Sequence, residues 1–160
     1  MRRPRCLRLR DLSPATVTVD GLDYRESLNA VKIAGGTAGN VIPDATVIEV
    51  NYRFAPDKTP DQAEQYVREL LDGFDVERTD AAAGARPGLQ HPAAADFVAA
   101  VGAEPKPKYG WTDVARFSAL GIPAVNFGPG DALLAHTDDE HVHAEAIREC
   151  LRALRTWLSS

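Results

Sequence analysis

Residues 46–73, TVIEVNYRFAPDKTPDQAEQYVRELLDG, decide the fold. The first part, Thr46 to Phe54, is rich in β-branched and aromatic residues and predicts a strand. Thr59 then stands as an N-cap, Pro60 at the first helical position, and Gln62 at the third to complete a capping box. Ala63, Tyr66, Val67, Leu70 and Leu71 recur at i, i+3, i+4, i+7 and i+8, which is one face of a helix, and Gly73 ends it. Working backward, Gly35, Gly36 and Gly39 break the chain within a few residues, and Pro43 and Asp44 close that loop. Ser27 to Ile33 before the loop reads as a second strand, so a hairpin is expected. Thr16 to Asp20 alternates as a short strand closed by turn chemistry at Gly21 and Asp23, and Phe74 to Arg78 reads as a strand after the helix. The result is a β-β-α-β unit over about residues 27–78, one sheet face covered by one helix.

Between Thr79 and Pro92 the composition shifts to Ala, Gly, Pro and Arg without periodicity, as in a linker. Beyond it are expected a helix from about Ala93 to Val101, a helix from about Asp113 to Leu120, and an apolar strand from Ile122 to Phe127. The closing helix carries Val142, Ile147, Cys150, Leu151, Leu154 and Leu158 on one stripe, with charges off it, and should pack on the preceding strand. The fold class is α/β, with residues 1–15 a disordered Arg-rich head, 16–85 one domain and 86–160 another.

The 160 residues, 44% hydrophobic and 26% charged with a mean hydropathy of -0.25, have the composition of a soluble globular protein. The longest apolar run is Phe97 to Val101, far short of the ~20 residues a membrane span needs. The net charge of -5 hides an asymmetry: Arg2, Arg3, Arg5, Arg8 and Arg10 lie in the first ten residues with no acid among them. The acidic remainder argues against nucleic acid as a partner, since phosphate contacts need a basic face. The head lacks the apolar run of a signal peptide and the interleaved aromatics of an RNA or membrane arm, so a disordered and non-native start is the favoured account. Cys6 and Cys150 have neither metal nor redox spacing, and the cytoplasm is the default compartment.

Chemistry has few places to reside. His136, His141 and His143 crowd with Asp138, Asp139 and Glu140 behind the Gly-Pro-Gly loop at 128–130. Imidazole and carboxylate suit zinc, but the spacing alone favours a solvated approach to a helix N-terminus, where acids meet the positive end of the dipole. The Gly35–Gly39 loop could cradle an anion, yet it lacks the Lys and hydroxyl of a nucleotide loop and serves equally as a hairpin loop. Asn40 beside it either donates to a developing oxyanion or holds the turn. Arg53, in a strand between Tyr52 and Phe54, either faces solvent or grips a carboxylate. In Tyr109 to Phe117, Thr112 either caps a helix, lines a ligand site at its N-terminus, or does both.

Four stretches together bear a resemblance: Tyr24 to Asp44 (YRESLNAVKIAGGTAGNVIPD), Val50 to Asp57 (VNYRFAPD), Gly110 to Phe117 (GWTDVARF) and Gly121 to Glu140 (GIPAVNFGPGDALLAHTDDE). From about residue 15 to the end, the sequence resembles the C-terminal part of the actinobacterial succinyl-diaminopimelate desuccinylases, a branch of the aminoacylase and carboxypeptidase-type zinc hydrolases. The resemblance implies an incomplete ferredoxin-like lid that dimerises, followed by the C-terminal strand and helix elements of a zinc-exopeptidase-like catalytic domain. It also places His136 as the last metal ligand, Arg53 as a grip on a substrate carboxylate, Asn40 as an oxyanion or substrate contact, and Thr112 in the pocket lining, leaving His141 and His143 as surface residues.

By the same resemblance the complete enzyme holds zinc, or cobalt in its place, and is a cytoplasmic homodimer through the lid. It hydrolyses an acylated amino acid, N-succinyl-LL-diaminopimelate, for diaminopimelate and lysine synthesis. A metal-bound water, deprotonated by a glutamate, attacks the succinyl amide. The family's His-x-Asp motif, its Glu-Glu pair and a further acidic ligand have no counterpart in this sequence, so a truncated chain, inactive alone and offering one ligand, is expected. The rivals are another acyl-amino-acid hydrolase or metallopeptidase of the family, and a non-catalytic dimerisation or binding module. A partial lid should expose a sheet edge and an apolar helix-binding face, and so be prone to association.

Overall fold

The computed structural model describes residue 9 and residues 12–159. Its class is mixed α/β: three antiparallel strands, β1 (Ala15–Val19), β2 (Leu22–Gly35) and β3 (Thr46–Arg53), in the order β1-β2-β3. Four helices follow among the described residues, α1 (Pro60–Leu70), α2 (Pro92–Val101), α3 (Val114–Ala119) and α4 (Ala144–Leu158), with a short 3₁₀ turn at Ala132–Leu134. The chain forms two compact units. One contains the residues up to Arg86 together with Pro107–Trp111, and the other contains Pro87–Lys106 and the residues from Thr112 onward. The expected Arg-rich head and Cys6 lie almost wholly outside the described residues.

In the first unit, Asp20 (φ 50°) and Gly21 (φ 85°) form a two-residue hairpin turn, the left-handed pair that Asp-Gly favours, and Thr18 Oγ1 donates to Asp23 Oδ1 at 2.6 Å across it. The second strand therefore starts at Leu22, five residues earlier than its composition suggests. The β2–β3 hairpin forms as expected, closed by the glycine loop: a Cβ at Gly35 would lie 2.7 Å from the Ala45 carbonyl oxygen. A bulge between Ala30 and Lys32 resets the alternation along β2. Thr59 and Gln62 make the capping box, with Gln62 N–H donating to Thr59 Oγ1 at 3.2 Å and Thr59 N–H to Gln62 Oε1 at 2.8 Å. Val19, Tyr24 and Ala55 are the buried centre, with Val17 and Leu22 packed against them.

Two expected strands do not form. Phe74–Arg78 is held along α1 by side chains instead: Arg68 Nη1 donates to the Val76 carbonyl at 2.8 Å, and Arg78 pairs with Asp61 (2.9 Å) and Glu64 (2.8 Å). Ile122–Phe127 has no strand beside it among the described residues, and a strand without a ladder leaves its backbone groups unpaired. Ile122 N–H instead donates to the Phe117 carbonyl at 3.0 Å, closing α3. Accordingly α4 packs on α2 rather than on a strand. Phe97 is the centre of that contact, its ring edge-on to Phe127 at 5.3 Å and to Trp157 at 5.1 Å. Beside these rings lies an open apolar hollow of about 410 Å³, lined by Ala94, Phe97, Val125, Phe127, Leu154 and Trp157 among others.

Burial is thin. Among the described residues no large side chain is fully buried, and Ile147, Leu151, Leu154 and Leu158 of the α4 stripe stay exposed. No helix among the described residues is long and apolar enough to cross a membrane.

Candidate functional site

Strand alternation gives the sheet two unlike faces. Val17, Val19, Tyr24, Glu26, Leu28, Val50 and Tyr52 turn inward, where the Tyr66 ring of α1 meets Tyr52 at 5.3 Å. The opposite face carries Thr16, Thr18, Asp23, Arg25, Ser27 and Asn29, and from β3 Asn51 and Arg53. The register sets Ser27 directly opposite Arg53 and Asn29 opposite Asn51, and the bulge brings the Lys32–Glu49 pair onto the same polar side. These outward residues are polar as far as the Lys32–Glu49 pair; beyond it Ala34 and Val47 share the side.

Arg53 takes the outward position that alternation could not decide. Its Nη1 donates to the Tyr109 carbonyl at 3.4 Å, and the Tyr109 hydroxyl donates to the Asp23 carbonyl, also at 3.4 Å. Tyr109 thus reaches from β2 to β3 along the polar face. Asn40 is exposed in the loop at the other end of the hairpin. The seven steps from Thr46 to Arg53 span about 23 Å at the usual strand rise, so Asn40 and Arg53 stand toward opposite ends of the hairpin.

Behind Arg53, Glu26 anchors the inward face. It is 8% exposed and accepts from Ala55 N–H at 2.8 Å, Lys58 Nζ at 2.7 Å and the Tyr52 hydroxyl at 3.0 Å. Burial, then the Glu26 charge and hydrogen bond, raise the Tyr52 pKa well above the ordinary phenol value. Burial and then the Asp20 charge raise that of Tyr24. Burial works against the charge on Lys58, but its bonds to Glu26 and Asp57 outweigh that and its pKa is raised. Because Tyr52 and Ala55 bracket Arg53, Glu26 fixes the backbone from which Arg53 projects.

In the second unit Thr112 does not cap α3. Asp113 holds the N-cap position without a side-chain cap bond, while Thr112 Oγ1 accepts from Asn126 Nδ2 at 3.0 Å. That bond ties the loop before α3 to the Ile122–Phe127 segment. His136 stands at φ 66°, a left-handed conformation unusual for a side-chain-bearing residue, and its N–H donates to Glu140 Oε2 at 2.9 Å. His141 Nδ1 contacts the Asp139 carbonyl at 2.7 Å, a bond that needs the Nδ1–H tautomer, and its ring lies edge-on to His143 at 5.6 Å. Among the described residues no group of three or more His, Cys, Asp and Glu side chains could hold a metal ion. Zinc in a catalytic site takes three protein ligands, so His136 alone does not complete a metal site, and the neighbouring acids do not converge on it among the described residues.

Several functional contacts escape sequence reading. Glu26 is an acid at an apolar position of β2, visible only once the alternation of Tyr24, Glu26 and Leu28 is taken over the full strand. His91 caps α2 by accepting from Ala93 N–H at 3.3 Å, though the His-Pro pair carries only a weak capping signal. Arg86 reaches Asp20 at 2.7 Å across 66 residues, a separation no local pattern reports.

Residues 11–79 match the peptidase dimerisation domain family. The chain is 57% identical over 145 residues to a putative succinyl-diaminopimelate desuccinylase of Mycobacterium tuberculosis, covering 89% of this chain and 41% of that protein. It is 45% identical over 151 residues to the succinyl-diaminopimelate desuccinylase of Corynebacterium glutamicum, covering 91% of this chain and again 41% of the relative. An acetylornithine deacetylase of Myxococcus xanthus is 30% identical over 136 residues, with 78% of this chain and 34% of the relative covered. The chain thus spans about two-fifths of the length of the curated relatives it matches, and the resemblance drawn from its four motifs holds over most of its residues.

Proposed function

We propose that this chain, whose residues 11–79 belong to the peptidase dimerisation domain family, is part of a metal-dependent amide hydrolase of the succinyl-diaminopimelate desuccinylase type. The observation that carries the reading is 57% identity over 89% of the chain. The reaction is hydrolysis of N-succinyl-LL-diaminopimelate to succinate and LL-diaminopimelate, in the cytoplasm, for diaminopimelate and lysine synthesis. The enzyme works as a homodimer through the sheet unit.

This chain's own share is binding. The Arg53 guanidinium offers a planar fork to a substrate carboxylate, and its exposed place at the end of β3 leaves room for one. Asn40 supplies a side-chain amide to an oxyanion or substrate oxygen at the loop end of the hairpin. Thr112, held by Asn126, lines the pocket, and His136 is the residue the chain offers toward a metal. Since the described residues do not complete a metal site, the chain alone is expected to be inactive, and no step of the reaction is assigned to a metal on it. The thin burial of the second unit supports a share in a larger catalytic body.

The test is a chimera in which residues 16–159 replace the matching segment of the Mycobacterium tuberculosis relative. It should hydrolyse N-succinyl-LL-diaminopimelate, and Arg53→Lys should lower kcat/KM by roughly 100-fold, the scale of two charge-assisted hydrogen bonds. A folded chimera that cleaves acetylornithine but not the succinyl substrate would transfer the assignment to the deacetylases. A folded dimer that cleaves neither would leave a dimerisation module.

A further inference from the structure

The polar face of the sheet is built around two arginines, only one of which the reading above uses. We propose that Arg25 and Arg53 together receive two carboxylates of one ligand on this face, with Tyr109 as its wall, so that Arg25 selects an acyl group ending in a carboxylate over a neutral one. The inference rests on Arg53 being a carboxylate grip.

Four observations carry it. The register places Ser27 opposite Arg53, so Arg25, two residues along β2 on the same face, lies diagonal to Arg53 at about 7–8 Å between backbones. That is within the reach of two long side chains toward the ends of a small diacid. Charge is concentrated here: Arg25, Lys32 and Arg53 outnumber Asp23 and Glu49 on this face of a chain whose net charge is -5. Among the described residues neither Arg25 nor Arg53 pairs with a carboxylate, whereas Arg68, Arg78, Arg86, Arg148 and Arg152 all do. Asp23, the nearest acid to Arg25 on this face of β2, already accepts the Thr18 hydroxyl, while the adjacent Glu26 lies on the opposite face.

The remaining geometry suits a diacid. Tyr109 takes one of the five N–H donors of Arg53 through its carbonyl while its hydroxyl is anchored on the Asp23 carbonyl, two residues before Arg25, so the residue spans the two strands that carry the arginines. The directly opposed Asn29 and Asn51 extend the face with amide donors and acceptors. Two like charges at this spacing repel each other, and a dianion bridging them relieves that repulsion, which a monoanion does only for one.

The experiment titrates the ¹⁵N-labelled full chain with succinate and, separately, acetate at low ionic strength, following the Arg side-chain Nε–H signals and the β2 amides. Succinate should shift both Arg25 and Arg53 and bind roughly fivefold or more tightly than acetate, the scale of one added exposed ion pair. Arg25→Gln should remove that advantage while leaving acetate affinity and the β2 amide pattern as they were, and Arg25→Lys should keep part of it. Succinate binding by Arg25→Gln equal to that of the unsubstituted chain would overturn the inference, as would succinate binding no tighter than acetate. Loss with Arg53→Gln but not Arg25→Gln refutes the second carboxylate contact alone. Loss with Arg25→Gln but not Arg53→Gln refutes the shared site by removing the Arg53 grip on which it rests.

Discussion

Replacing Glu26 by Ala should unfasten the first unit, and the size of the effect follows from its three donors. Ala55 is 1% exposed, so its N–H, now bonded to Glu26 at 2.8 Å, would be left buried without a partner. Such a group costs about 1–3 kcal/mol. Lys58, whose side chain is 26% exposed, can swing into water and adds little. The Tyr52 hydroxyl borders a cavity of about 40 Å³ shared with Glu26, Leu28 and Tyr66, large enough for one water, which would satisfy it. The sum is about 1–3 kcal/mol for Glu26→Ala. Glu26→Gln, which keeps an acceptor for Ala55 but loses the charge facing Lys58, should cost roughly half as much. Amide hydrogen exchange at Tyr52 and Ala55 reads the first unit alone, so an independent transition of the second does not interfere. Protection at Ala55 in Glu26→Ala equal to that of the unsubstituted chain would refute the reasoning. So would Glu26→Gln costing more than Glu26→Ala.

Two further outcomes are expected. The raised pKa of Tyr52 means that the unfolded phenol ionises first, so its contribution to stability is whole below about pH 10 and is lost as pH rises beyond it. Lys58 and Tyr24 act in the same direction; alkaline denaturation of Tyr52→Phe, followed by circular dichroism, should therefore show a shallower but not a flat alkaline limb. His136 sits at φ 66°, where glycine carries no Cβ penalty, so His136→Gly should stabilise the second unit by about 1 kcal/mol in urea titration followed by Trp157 fluorescence. The same substitution in the active chimera should lower turnover, separating strain from function.

What could be read from the residues alone was what is local. The capping box at Thr59 and Gln62, the turn at Gly21 and the apolar stripe of α1 are settled within a few positions, although the turn takes Asp20 rather than Asp23 as its partner residue. The strands at Phe74–Arg78 and Ile122–Phe127 failed because an apolar run becomes a strand only when another strand accepts its hydrogen bonds. Arg68 and Arg78 took the first segment to the side of α1, and the second met no ladder. The candidate site divides in the same way. Arg53 was visible as a charge in a strand, but its face needed the register with Ser27, and Thr112 looked like a cap until Asn126 claimed its hydroxyl. The histidine and acid cluster was dense in sequence, yet density along a chain does not aim side chains at one point.

Tyr109 has a consequence for synthesis. Pro107–Trp111 belongs with the first unit, yet the ribosome delivers it after Pro87–Lys106, which does not. The two hairpins need only microseconds once their residues emerge, whereas the roughly 25 residues from Arg86 to Trp111 take about 1–5 s to translate. For that interval Arg53 waits with its Tyr109 contact unmade and the polar face open. Bringing Pro107 back then closes a loop of about 20 residues, an entropic cost near 3 kcal/mol that two long hydrogen bonds barely offset. The helix α2 within that loop shortens the span to be closed.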